Sequence, residues 1–180
     1  MTTLVTGGSL ALDAHPHDIE DRRPVGLVVG KKSLGKGTDS ILAASKLVVQ
    51  EIPNVLFVFI GRNTEYIAED LPWVWNVPNV PQEFVRDWYE ACWIVCHAPE
   101  GSDAAPRAVI DASLGARGVV GWAPPVGGMR ELVTEGVTGY LVPYRDIPAL
   151  AAALIKALDV EEAIRLGMNN YQCPEWRRVA

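Results

Sequence analysis

Cysteine is scarce in this chain of 180 residues: three thiols, Cys92, Cys96 and Cys173, stand at spacings that fit no zinc site. They read as buried or free thiols of a reducing compartment rather than as a disulfide framework. Histidine is equally scarce. His15 and His17 form an H-x-H pair, but only His97 remains to complete a ligand set, so the sequence predicts a flexible entry segment and no metal site. No apolar run approaches the roughly 20 residues of a membrane helix, and Met1-Thr2-Thr3 lacks the basic and apolar stretches of a signal peptide. The expectation is a cytoplasmic chain without a transmembrane segment. Positive charge is also in deficit: the formal net charge is −6, which argues against general nucleic-acid binding because a phosphate backbone requires a basic face. Basicity is therefore local, at Lys31, Lys32, Lys36 and Arg62.

What the chain does have is 49% hydrophobic residues, enough for one substantial core. Short apolar runs at Val25 to Val29, Val55 to Ile60, Trp73 to Val77, Trp93 to Cys96, Val119 to Gly121 and Tyr140 to Val142 read as strands. Between and after them, helical spacing predicts helices from Thr38 or Asp39 to Val49, Glu83 to Cys92, a motif helix opening at Pro106, Ile147 to Leu158, and Glu161 to Gly167. Strands that are apolar throughout and alternate with helices predict an α/β fold, a Rossmann-like parallel sheet with helices on both faces. In such sheets ligands bind at the carboxyl ends of the strands, where the winding order reverses. The predicted domain is 25–180, preceded by a hinge-like lead, 1–24. Of the six tryptophans, Trp73, Trp75, Trp88 and Trp93 are predicted core, whereas Trp122 falls in a predicted loop and is a candidate for stacking on a base or sugar.

The chemistry concentrates between Asp103 and Glu131. Pro106 suits a first helical position, and Val109, Ile110 and Leu114 recur at helical spacing behind it. The N–H groups of Ala104 and Ala105 would then favour an anion such as a diphosphate. Asp103 and Asp111, about two turns apart, would meet different parts of one extended ligand, and carboxylates accept hydrogen bonds from vicinal hydroxyls of sugar or ribose. The bland alternative makes Asp103 an N-cap and Asp111 a solvated helix residue. Upstream, Gly30 to Lys36 sits between strand and helix and fits the G-x-x-x-x-G-K phosphate loop of nucleotide hydrolases. Gly37 stands where that loop needs Ser or Thr for magnesium, and the strand ending at Gly61 offers no Asp, so a P-loop-like hydrolase is the less favoured alternative.

These segments together resemble the C-terminal, donor-binding domain of GT-B retaining glycosyltransferases of the family 4 type. Asp103 and Asp111 fall on the two glutamates of the family's Glu-seven-Glu motif, Ala116 to Val120 on its strand entry, and Gly127-Gly128-Met129-Arg130-Glu131 on its Gly-Gly turn. Leu132 to Leu154 is similar to the run that follows, and Gly30 to Gly37 to the family's Gly-Arg and Lys-Gly segment, with Lys31 on the Arg position and Lys36 on the Lys. The resemblance spans roughly Val25 to Trp176. It implies binding of a nucleoside diphosphate sugar, with no cofactor and no metal, and glycosyl transfer as part of a complete GT-B enzyme whose N-terminal acceptor-binding domain this chain lacks. It also implies roles: Lys31 and Lys36 on the diphosphate, Asp103 on sugar hydroxyls, Asp111 on the ribose, and Gly61, Arg62, Asn79 and Val80 flanking the base, with Gly30, Ala104 and Ala105 completing the donor site. Peripheral membrane attachment through the missing domain stays open. The departures are the two aspartates, one methylene shorter than glutamate, Ala104-Ala105-Pro106 in place of a Gly-rich segment, and two extra residues between Trp122 and Val126. They leave open a non-catalytic nucleotide-sugar binding module as the alternative.

Overall fold

Six strands, all parallel, form one sheet in the computed structural model, which describes residues 15–19, 23–68 and 70–172. They are β1 (Val25–Val29), β2 (Leu56–Ile60), β3 (Val74–Val77), β4 (Ile94–His97), β5 (Gly118–Trp122) and β6 (Gly139–Val142), in the spatial order β3-β2-β1-β4-β5-β6. The helices are α1 (Thr38–Glu51), α2 (Gln82–Ala91), α3 (Arg107–Leu114), α4 (Met129–Leu132), α5 (Ile147–Ala157) and α6 (Val160–Gln172). Cys173, Trp176 and most of the lead lie outside the described residues. Within the lead, Pro16 is buried and Ile19 packs on the core.

Each strand divides its side chains between two cores, which is why the runs are apolar at every position. Phe57 and Phe59 of β2 join Cys96, Val120 and Trp122 beneath Ile41 and Val48 of α1 and Leu150 and Leu154 of α5. Leu56 and Val58 point the other way, joining Leu27, Val95 and Val119 beneath Val85, Trp88 and Tyr89 of α2 and Val109 of α3. Winding runs outward from β1 through β2 to β3, then returns to β4 on the other side of β1. The loops after β1 and β4 therefore leave toward opposite faces and open a crevice between them.

Several expectations need correction. Trp122 is not in a loop beside a pocket: β5 extends through it because Trp122 pairs with Val142 of β6. Its indole is fully buried, donates to the Pro99 carbonyl at 2.9 Å and meets Tyr144 edge-on. Pro106 is the N-cap rather than the first helical residue, since its ψ of 103° is extended while its carbonyl accepts from Val109 N–H. Leu114 faces outward, 54% exposed, because α3 ends there. The last helix runs five residues past its predicted end, and the Gly-Gly turn opens the unpredicted α4. Trp75 and Trp88 are buried, while Trp73 and Trp93 are half-buried against the core margins.

Candidate functional site

The crevice is a cleft of about 650 Å³ at the carboxyl ends of β1, β2, β3 and β4. Gly30 and Lys31 enter from β1, Gly61 and Arg62 from β2, Asn79 and Val80 from the segment after β3, and His97 from the last position of β4. Asp103, Ala105 and Asp111 complete the wall from the β4–α3 loop and α3. Ala104 is not among the lining residues. With Pro106 as N-cap, the leading helical N–H groups belong to Arg107 and Ala108 rather than to Ala104 and Ala105.

Two glycines let the walls close. Gly61 has φ of 144°, and a Cβ there would lie 2.0 Å from the Gly30 carbonyl, so the loops after β1 and β2 touch through backbone alone. Gly37, with φ of 75°, ends a 3₁₀ turn over Leu34–Lys36 and caps α1, pressed against the Ala98 carbonyl. That turn aims Lys36 across the crevice, where its Nζ meets Asp103 Oδ2 at 2.7 Å.

Asp103 also faces His97, whose Nε2 lies 3.4 Å from the same oxygen, outside the geometry of a strict hydrogen bond and otherwise unpartnered. The imidazole and the Lys36 ammonium together hold the Asp103 carboxyl far below the usual carboxylate range, against the opposing effect of its partial burial. Asp111 behaves oppositely. Burial raises its pKa, with Arg107 opposing. The two carboxylates thus differ in environment: one is an ion-paired anion, the other a partly desolvated acceptor on the helix. The Gly-Gly turn supports this loop, since Gly128 N–H donates to the Asp103 carbonyl at 2.9 Å.

Three cleft-building residues were not singled out in the sequence. His97 gives no signal beyond its position at a strand end. Glu100 ties the Lys36 turn to the rest of the fold: its N–H donates to Gly35 O at 3.1 Å, and its carboxylate accepts from Ser40 Oγ and Arg145 Nε. Lys32, read from sequence as one more local charge, is 2% exposed, and its Nζ donates to Gly61 O at 2.6 Å and Val77 O at 2.7 Å. Desolvation brings its pKa from 10.5 down to about 8, with Glu65 opposing.

The phosphate-loop alternative fails on geometry. A Cβ at Gly37 would lie 1.8 Å from Ala98 O, so no Ser or Thr fits where that loop needs one. The next hydroxyl, Thr38 Oγ1, is occupied in accepting from Ser33 N–H at 3.0 Å. The H-x-H pair lies with its two rings stacked, and among the described residues no group of three or more His, Cys, Asp or Glu is placed to hold a metal.

Comparison with known proteins agrees with this architecture. D-inositol 3-phosphate glycosyltransferase of Kribbella flavida is 37% identical over 78 residues, 43% of this chain and 18% of that protein. Anabaena HepE, solved in complex with UDP-glucose, superposes with a TM-score of 0.70 at 21% identity, covering 82% of this chain and 43% of HepE. The C-terminal domain of the group 1 glycosyl transferase LpcC from Francisella tularensis superposes with a TM-score of 0.67 at 17% identity, covering 86% of this chain and 91% of that domain. The chain thus spans less than half the length of the HepE structure and under a fifth of the curated relative. A family model described as glycosyl transferases group 1 matches residues 23–160, from before β1 to the start of α6. With all six strands and the whole cleft inside that match, the chain belongs to the glycosyl transferases group 1 family.

Proposed function

We propose that this chain is the donor-binding half of a retaining GT-B glycosyltransferase and that its cleft takes a nucleoside diphosphate sugar. The observation that carries this is convergence: Lys31, Lys36 and Arg62 reach one cleft from two strand ends, and Asp103 and Asp111 face them from the β4–α3 side. Cations suit a diphosphate and carboxylates suit hydroxyls, so one extended ligand satisfies both. HepE binding UDP-glucose in the same fold supports the reading. Lys31 and Lys36 lie on the diphosphate and stabilise the charge that grows as the nucleoside diphosphate leaves. Asp103 holds sugar hydroxyls and Asp111 the ribose, with Gly61, Arg62, Asn79 and Val80 around the base. Free, buried Cys92 and Cys96 support a cytoplasmic setting. Transfer itself needs an acceptor-binding domain, in cis or in trans.

Proteinaceous cations imply binding without a divalent metal. Calorimetric titration with a panel of nucleotide-sugars in the presence of chelator is expected to show saturable binding by at least one of them. Binding that appears only once magnesium is added would overturn the metal-free site.

A further inference from the structure

Lys32 lies beneath the cleft, between residues that line it, yet it is not itself part of the lining. It is attached to two neighbouring segments, the loop after β2 and the end of β3. Its backbone N–H donates to Arg62 O at 3.0 Å, and its carbonyl accepts from Asn63 Nδ2 at 3.4 Å. Its ammonium, buried, bridges the carbonyls of Gly61, the first residue past β2, and Val77, the last of β3. Ile60 and Val77 are register partners, so these carbonyls emerge side by side where the β2–β3 ladder stops. Val77 O also accepts from Gly61 N–H at 3.2 Å, whereas the Gly61 carbonyl would be a buried acceptor without a partner if the ammonium were removed.

A buried ammonium is costly unless its hydrogen bonds are well formed. Here they add a second tie to the direct Gly61 N–H bond to Val77 O and fix the separation of two chain segments that diverge immediately afterwards. Gly61 leads to Arg62 on one wall, and Val77 leads to Asn79 and Val80 on the other. The diphosphate end of the cleft is built differently, from the Lys36 turn, which Glu100 holds by separate contacts. Lys31 is joined to Lys32 through the chain, but the Lys36 turn has a support that does not pass through Lys32.

We propose that Lys32 is a positioning residue that sets the width of the nucleoside end of the cleft and so governs selectivity for a complete nucleotide over a bare diphosphate. This rests on the donor-site reading above. Lys32 touches no part of the ligand and acts through Gly61 and Val77.

The test compares affinities for UDP and inorganic pyrophosphate in the whole chain, in chelator, for wild type, Lys32→Met and Lys32→Gln. Lys32→Met is expected to weaken UDP binding at least tenfold while changing pyrophosphate binding less than twofold, with Lys32→Gln between. Equal weakening of both ligands, or of neither, would overturn the proposal. Amide exchange of the unmodified chain adds a reading independent of whether the variants fold. The amides of Lys32 and Gly61, which donate to Arg62 O and Val77 O, are expected to be protected before any ligand is added, and exchange at the rate of an open loop would count against preorganisation. If the wild type binds neither pyrophosphate nor any nucleotide, the donor-site reading fails and this one falls with it. Binding by wild type with an unchanged selectivity ratio in the variants overturns only the role of Lys32.

Discussion

Lys36 and Asp103 neutralise each other at 2.7 Å across the cleft. A diphosphate at Lys36 competes with that carboxylate for the ammonium, and on the donor-site reading this turns Asp103 toward His97 and a sugar hydroxyl. The pair therefore makes two opposite predictions. Lys36→Ala is expected to weaken nucleotide binding by about 1.5–3 kcal/mol, the range for a hydrogen bond to a charged group, while scarcely changing the folding midpoint. Asp103→Asn, which removes the competitor, is expected to tighten binding of bare diphosphate while weakening the sugar conjugate relative to it. Titrations of both variants decide the matter; unchanged affinity in Lys36→Ala would remove that residue from the site. At this scale the sequence was legible only in part. Lys31 and Lys36 stand out through their spacing from glycines, but Lys32 has the same chemistry as its neighbour. Its burial follows from two carbonyls 29 and 45 positions away, and no local pattern announces such a partner.

Among the elements, the loops carry more of the site than the helices do. The 3₁₀ turn at Leu34–Lys36 and the start of α1 meet at Gly37, where both φ and the nearby Ala98 carbonyl exclude a side chain. Gly37→Ala is accordingly expected to destabilise the fold by at least about 2 kcal/mol, read as a lowered denaturant midpoint. A midpoint equal to wild type would show that the junction relaxes freely. The strands are readable to within a residue or two because the apolar runs are short, rich in β-branched and aromatic residues and bounded by turn residues, which separates a buried strand from a buried helix segment. Ends were harder. The two extra residues between Trp122 and Val126 suggest a loop that begins at Trp122, whereas pairing with β6 continues the strand and Pro99 O satisfies the indole. The sequence places Pro106 one position too far into its helix because first-turn and N-cap prolines share the same fixed φ and differ in ψ, which the sequence does not display.

The molecule as a whole is a parallel sheet whose functional groups gather at one end, and its likeness to HepE spans only 43% of that protein. Glycosyl transfer depends on holding donor and acceptor in register and excluding water, which a single open cleft does not supply. The chain alone is therefore expected to bind donor without glycosylating any acceptor, with slow donor hydrolysis at most. Adding an N-terminal GT-B domain in trans is expected to restore transfer, measured by product formation across an acceptor library. Efficient transfer by the chain alone would refute the half-enzyme reading.

Because every strand runs the same way, the opposite end of the sheet collects only the turns that precede strands. The exposed Asn54 shortly before β2 and Val137 shortly before β6 belong to that end, and neither lines the cleft. The fold thus separates a working side from a handling side. A dye, a surface tether or a fused partner attached at Asn54 or Val137 would leave the mouth of the cleft unobstructed, and a chain tethered there would present that cleft to solution.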